Sequence, residues 1–260
     1  MAIQILFQAH GILAVDKPPG VAVHATPGPG ISLLRELHAQ TGLPGLTPVH
    51  RLDKDASGVL LLAESKAVAS ELQAAWPRVE KTYLALTDGL PAEPQGRINA
   101  PILEHQTGKP ERLANALRYF QELHPGVALP PLPAPKTSAV HPAGRASQTH
   151  YTVLESFRDF ALLEVRPLQG RMHQIRVHLA HAGFALAVDP LYGKRASLRK
   201  RDVGGRGEEI LIERLSLHAS KLVFEFKGET HAVSAPLPND FQRALQFLRA
   251  QKALPPTSDL

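Results

Sequence analysis

Two short segments of this sequence combine residue types that can do chemistry. The first is His50-Arg51-Leu52-Asp53, followed by Lys54-Asp55-Ala56-Ser57-Gly58. It sets a carboxylate two residues after an arginine, just ahead of the continuous apolar run Gly58 to Ala63. Such a run reads as a strand buried on both faces. A side chain at the end of a buried strand can be held rigidly at a cleft. There Asp53 can act as nucleophile or proton acceptor. Taken alone, the segment reads first as a turn aspartate bonded to its own backbone.

The second segment is Gly170-Arg171-Met172-His173-Gln174-Ile175-Arg176-Val177-His178. Its periodicity predicts a helix over Arg171 to His181 that stops at Gly183. At about 100° per residue, Met172, Ile175, Leu179 and Ala182 share a core-facing arc, with Arg176 on its flank. A guanidinium that close to a core keeps its charge and requires a carboxylate partner, for which Asp53 is a candidate. Arg171 lies at the helix start, free to reach a phosphate. His173 points away from the apolar arc. His173, His178 and His181 are splayed around the helix, so no metal site is expected.

Two further segments look bland by themselves. On a strand, Lys81, Tyr83 and Ala85 share one face, and a lone strand tyrosine is ordinarily half-buried packing. Arg214-Leu215-Ser216-Leu217-His218-Ala219 reads as an ordinary core segment.

These pieces need elements to position them. The pattern predicts strands over Ile3 to Gln8 and Ile12 to Asp16, a turn at Lys17 to Gly20, and a helix over Ser32 to Gln40. Ser65 can cap a helix running to about Ala75, and Thr82 to Thr87 is the next strand. Six prolines between His124 and Gly144 exclude helix interiors and central strands there, so 124–144 reads as a long surface loop or insertion. Strands follow over Thr149 to Phe157 and Phe160 to Arg166. Lys194 to Arg206 is a basic, glycine-containing stretch that reads as a solvated loop. A hairpin spans Lys221 to Phe226 and Thr230 to Ser234, and a last helix carries Phe241, Leu245 and Leu248 on one face.

Composition narrows the classes. The 260 residues are 43% hydrophobic and 20% charged, enough for a core and too apolar for global disorder. Cysteine is absent, which excludes disulfides and thiolate metal sites. No signal peptide is recognisable, and no apolar run approaches the roughly 20 residues that span a bilayer. The formal charge of +5 suits a polyanionic partner.

Taken together, the segments resemble the RluA family of RNA pseudouridine synthases. The matches occur in the family's order: Ala14-Val15-Asp16-Lys17-Pro18-Pro19-Gly20, His50 to Asp53 with Ser57-Gly58, Lys81-Thr82-Tyr83-Leu84-Ala85-Leu86, Gly170 to His178, and Arg214 to Ala219. They run from about Ile5 to Pro236. The His-Arg-Leu-Asp and Gly-Arg-x-His-Gln-Ile-Arg segments are specific as a pair. The chain departs from the family in Ala56, where threonine is usual, in Val188-Asp189-Pro190 for a more usual Gly-Asp, and in the proline-rich insertion.

The resemblance implies an α+β fold with a mixed, largely antiparallel sheet and an active cleft across its middle. It implies one catalytic domain over residues 1–260, without the small S4-like domain that many relatives carry in front. It implies an isomerase that breaks the C–N glycosidic bond of a uridine in ribosomal or transfer RNA and rejoins the uracil through C5. No group is added and no electron is exchanged, so no cofactor is expected. By resemblance Asp53 is the catalytic carboxylate, with Arg176 paired to it. Tyr83 stacks on the uracil and is a candidate to remove the C5 proton. Arg51 fills the stack vacated by a flipped base, Leu215 lines the uracil pocket, and Arg171 and Lys81 contact phosphate or hold local structure. A monomer in the cytoplasm is the default. The rivals are a catalytically inactive RNA-binding protein of the same fold and a nucleoside hydrolase or glycosidase, which would more often pair two carboxylates.

Overall fold

The computed structural model describes residues 1–24, 31–106 and 108–252. In chain order the elements are β1 (Gln4–Ala9), β2 (Ile12–Lys17), α1 (Leu33–Thr41), β3 (Thr47–Pro48), β4 (Ser57–Ala63), α2 (Lys66–Ala75), β5 (Glu80–Asp88), β6 (Gln95–Asn99) and β7 (Ile102–Glu104). They continue with α3 (Pro110–Leu123), β8 (Ser138–Val140), β9 (Gln148–Ser156), β10 (Phe160–Pro167), α4 (Gln174–His181) and β11 (Leu198–Arg199). The last are β12 (Ile210–Ile212), β13 (Leu217–Phe226), β14 (Glu229–Ser234) and α5 (Asn239–Lys252).

The main sheet runs β1-β2-β4-β13-β5-β10-β9-β6, with β14 added to β13 and β3 to β4. This is the α+β arrangement implied by the resemblance. Among the described strands of this sheet every pairing is antiparallel except β13 with β4. Period-two alternation along β2 and β4 feeds two cores on opposite faces. Ile12, Ala14, Leu61 and Ala63 pack with Ala69 and Leu72 of α2. Leu13, Val15, Leu60 and Leu62 pack with Leu33 and Leu37 of α1. Further along the sheet, α5 covers one face through Phe241, Ala244, Leu245 and Leu248, and α4 covers the other through Ile175 and Leu179.

The parallel pair explains two motif fragments. Ser57 lies opposite His218, and Gly58 opposite Ala219. Gly58 has φ 111°, and a Cβ there would stand 2.2 Å from the Ala219 carbonyl oxygen. Only glycine lets the two backbones approach so closely. Beside it Ser57 Oγ is 3.0 Å from His218 Nδ1, while His218 Nε2 is 3.4 Å from the Ala235 carbonyl. A carbonyl can only accept, so Nε2 carries the proton and Nδ1 accepts from the serine. Burial pushes His218 down to about 4. The fragment Arg214 to Ala219 is therefore a strand crossing.

Local signals hold where they are strong. Ser32 and Ser65 cap α1 and α2, each accepting a main-chain N–H three residues on. Lys227 and Gly228 both have positive φ, the geometry of a tight hairpin turn. Two expectations need correction. The helix predicted from Arg171 begins at Gln174, because His173 is left-handed at φ 58° and breaks the helical path. Met172 thus lies outside it and Ala182 is exposed, while all six residues from Gln174 to Leu179 are buried. A short helix enclosed on several sides has no single apolar arc. The proline-rich stretch is also not all surface loop. It follows α3, which periodicity had not revealed, and its far end docks as β8 against β7, burying Pro133, Ser138 and His141.

Candidate active site

The loop before β4 is fixed from three sides. His50 Nε2 accepts the Leu61 N–H at 3.0 Å, and the His50 ring stacks on Trp76 with centroids 4.3 Å apart. Burial pushes His50 down to about 3, so the ring is neutral and keeps its lone pair for that bond. Lys17, with no exposed surface, donates to the carbonyls of Pro18 at 2.7 Å, Val21 at 3.0 Å and Lys54 at 2.8 Å. Burial lowers its pKa to about 8, against the pull of Asp55 and Asp53. The Ala56 N–H closes a turn onto the Asp53 carbonyl at 3.2 Å. Asp53 is thus held at the strand end with its carboxylate one-fifth exposed.

Arg176 reaches that carboxylate from α4, its Nη1 2.9 Å from Asp53 Oδ2. The same guanidinium makes a two-pronged pair with Asp189, Nε to Oδ2 and Nη2 to Oδ1, both at 2.8 Å. The Asp189 side chain is 1% exposed and also accepts the N–H groups of Leu191 and Tyr192. Burial opposes the charge on Arg176, but the Asp189 hydrogen bonds and both carboxylates outweigh it and raise its pKa. The cation is permanent, with one face committed to Asp189 and one nitrogen presented to Asp53. The sequence reading supplied the Asp53 partner and missed Asp189, which stands 13 residues along in a segment noted only as a departure.

The helix carrying Arg176 is sewn in by its polar residues. Gln174 Oε1 accepts the Arg171 N–H, and its Nε2 donates to the Gln148 carbonyl and to Thr149 Oγ1. His178 bridges Thr149 Oγ1 at 2.8 Å and the Ala100 carbonyl at 3.0 Å. These partners place His178 in the structure of the sheet edge, away from any metal. Among the described residues no cluster of three His, Cys, Asp or Glu side chains is arranged to hold a metal ion.

Asp53 and Arg176 open into a cleft of about 360 Å³, within the usual size of a small-molecule site. Tyr83 lines it from β5, packed against the cores on both the α1 and α4 sides. Burial and the Asp53 carboxylate push the phenol above its ordinary range, so it is neutral in the open cleft. Stacking on a base suits that state. Arg51 is exposed on the cleft wall. Lys81 also lines the cleft but is buried, with Nζ 3.4 Å from the Leu168 carbonyl and 5.9 Å from the Trp76 ring centre. Arg171 lines the wall half-buried, its Nη2 3.4 Å from the Ala146 carbonyl, and its Nε has no partner.

Leu215 is the one expected wall residue that lies elsewhere. It is 3% exposed in the core under α4, and Leu217 lines the cleft instead. Leu215 lies ahead of β13, which begins at Leu217, and nothing in the pattern of Arg214 to Ala219 marks that boundary. Arg214 anchors the start of this strand through two bonds to Asp240, at 2.8 and 2.9 Å, and one to the Leu215 carbonyl.

His173 also enters the cleft, contrary to its expected direction, because the left-handed backbone turns it inward. Its Nδ1 is 2.8 Å from the Tyr192 hydroxyl, and its Nε2 is 3.9 Å from Asp53 Oδ1. The Tyr192 oxygen accepts the Ser138 N–H at 2.8 Å, and Ser138 Oγ donates to the Met172 carbonyl at 2.8 Å. The proline-rich segment therefore reaches the site through Ser138.

The basic stretch has a different fate. Lys194 and Arg195 face Asp88, Arg199 and Arg201 face Glu208, and Lys200 pairs with Glu209. Within this stretch only Arg206 has no acidic partner among the described residues.

Comparison with known proteins agrees with this geometry. Residues 11–181 match a family model described as RNA pseudouridylate synthase. The chain is 34% identical over 250 residues to "Ribosomal large subunit pseudouridine synthase C" of Yersinia pestis, covering 94% of this chain and 69% of that protein. It is 33% identical to the protein of the same name in Escherichia coli K12, covering 94% and 70%, and 32% identical to "Uncharacterized RNA pseudouridine synthase YlyB" of Bacillus subtilis, covering 96% and 74%. Among solved structures, human RNA Pseudouridylate Synthase Domain Containing 4 superposes with a TM-score of 0.70 at 24% identity, covering 95% of this chain and 93% of that one. Human RNA Pseudouridylate Synthase Domain Containing 1 gives 0.66 at 23%, covering 98% and 96%. With the fold, the cleft and these relatives in agreement, the chain belongs to the RluA-type family of RNA pseudouridine synthases, isomerases that convert uridine to pseudouridine in RNA.

Proposed function

We propose that this chain isomerises one or more uridines of ribosomal RNA, with Asp53 as the catalytic carboxylate. The observation that carries the assignment is the bond from Arg176 Nη1 to Asp53 Oδ2 on the wall of the cleft. The Arg176 guanidinium fixes one oxygen of Asp53, and the carboxylate lines the cleft with one-fifth of its surface exposed. A single carboxylate so placed suits attack on the sugar, addition to the base, or removal of a proton. The target base leaves its stack to reach it, Tyr83 lies against the uracil, and Arg51 is positioned to enter the gap. Arg171 offers a guanidinium to a neighbouring phosphate.

Ribosomal RNA is preferred over transfer RNA because several similar proteins carry names that state the large ribosomal subunit. The direct test maps pseudouridine across total RNA from cells with and without the gene. Loss of signal at sites in ribosomal RNA supports the proposal. Loss confined to transfer RNA overturns the substrate, and no loss anywhere favours the inactive RNA-binding reading.

A further inference from the structure

The gap between His173 and Asp53 has a definite chemical meaning, resting on the function just proposed. His173 Nδ1 lies 2.8 Å from the Tyr192 oxygen, which already accepts the Ser138 N–H. The one Tyr192 hydroxyl hydrogen has no other acceptor among the described residues, so it donates to Nδ1. That assigns the ring proton of a neutral imidazole to Nε2. Burial, opposed by the Asp53 carboxylate and aided by Arg176, holds His173 below its ordinary range, which keeps the ring neutral.

Nε2–H therefore faces Asp53 Oδ1 across 3.9 Å, with both groups on the cleft wall. That distance is too long for a direct hydrogen bond. It fits one bridging oxygen that accepts from the histidine and donates to the carboxylate. Uracil oxygens and phosphate oxygens only accept, and the uracil N3–H only donates. In a uridine within an RNA strand the 3′ and 5′ oxygens are esterified. The 2′-hydroxyl is then the single group of the target nucleotide that does both.

We propose that His173 Nε2–H and Asp53 Oδ1 bracket the 2′-hydroxyl of the flipped uridine, making His173 a residue that selects ribose over deoxyribose. The 2′-hydroxyl is the group by which a protein tells RNA from DNA at a given site. Tyr192 and Ser138 act as positioning residues by fixing the tautomer. The proline-rich segment would thus contribute to sugar recognition without touching the substrate.

The test uses the full chain with Asp53 intact, and Kd is read from the fast binding phase that precedes turnover. Two RNA oligonucleotides containing the mapped site are compared, one all-ribose and one with a single 2′-deoxyuridine at the target. The expected preference for ribose is about 3- to 10-fold in Kd, the size of one net hydrogen bond. Adding His173→Ala should shrink the ratio towards 1 by weakening only the all-ribose complex. Tyr192→Phe, which keeps His173 but frees Nδ1 to take the proton, should do the same to a lesser degree. A ratio that is absent in the parent, or that persists in both variants, overturns the proposal. Pseudouridine formation by a separate Asp53→Asn variant would instead sink the catalytic assignment, and it is read independently of the ratio.

Discussion

Two regions of this protein concentrate opposite charges, and they use them differently. In the cleft, one guanidinium serves Asp53 and Asp189, and Arg176 and Asp189 are 5% and 1% exposed. In the stretch Lys194 to Arg206, five of the six basic side chains face carboxylates, but Lys194 is 75% exposed and Arg201 58%. Buried ions interact through a poorly screening medium and have no water to fall back on, so each is bound to its partners. Exposed pairs are screened, entropically costly to fix, and worth little. Depth separates a guanidinium that fixes a carboxylate's position from a neutralised surface loop.

The comparison breaks most visibly at Arg176. Arg176→Ala strands Asp189 in the interior and should cost about 3–5 kcal/mol by chemical denaturation. Asp189→Ala should approach that range, because it leaves Arg176 with only the partly exposed Asp53. A melt unchanged from the parent in either variant would mean that the buried pair contributes nothing.

Acid probes the same low-dielectric interior at the strand crossing. Burial holds His50 at about 3 and His218 at about 4, both below the ordinary 6.5. The unfolded chain therefore binds these protons first as pH falls, so stability is full above about 6.5 and drains towards 4. For His218 alone the change is roughly 3 kcal/mol over that window. Denaturation curves at several pH values check it, and a flat profile between 6.5 and 4 would contradict the buried neutral imidazoles.

The smallest effect belongs to the surface loop. Changing Arg199, Lys200 and Arg201 together to Ala should alter stability by no more than about 1 kcal/mol. With their charges already faced by Asp202, Glu208 and Glu209, the salt dependence of RNA binding should hardly change. Each real phosphate contact on a single strand would add about 0.7 to the slope of log K against log salt. A fall in slope of 1–2 in the triple variant would show that RNA displaces the intramolecular pairs.

What the sequence disclosed follows the range of each interaction. Gly58 to Ala63, the serine caps at Ser32 and Ser65, the hairpin at Lys227-Gly228 and the apolar face of the last helix are local signals, and the structure follows them. Asp53 and Arg176 were paired by motif and charge logic across 123 residues. The misses required contacts that no local pattern encodes. His173 was directed outward on an assumed helix, but a left-handed backbone turns it into the cleft. Asp189 and Tyr192 have no periodic signal. Ser138 sits in a stretch whose prolines were read as surface, yet a short strand needs only a few residues between prolines. Leu217 holds the wall position expected of Leu215 because β13 begins at Leu217, while Leu215 lies ahead of the strand, packed in the core.

The central claim is that Asp53 performs the chemistry while Arg176 holds its carboxylate in place. Asp53→Asn tests it most directly, read by tritium release from RNA labelled at C5 of uridine and by RNA binding on the same preparation. The account predicts no release above background with binding largely retained, since the amide keeps the size of the side chain but cannot act as nucleophile or base. Turnover by the Asn variant at the parental rate would contradict it.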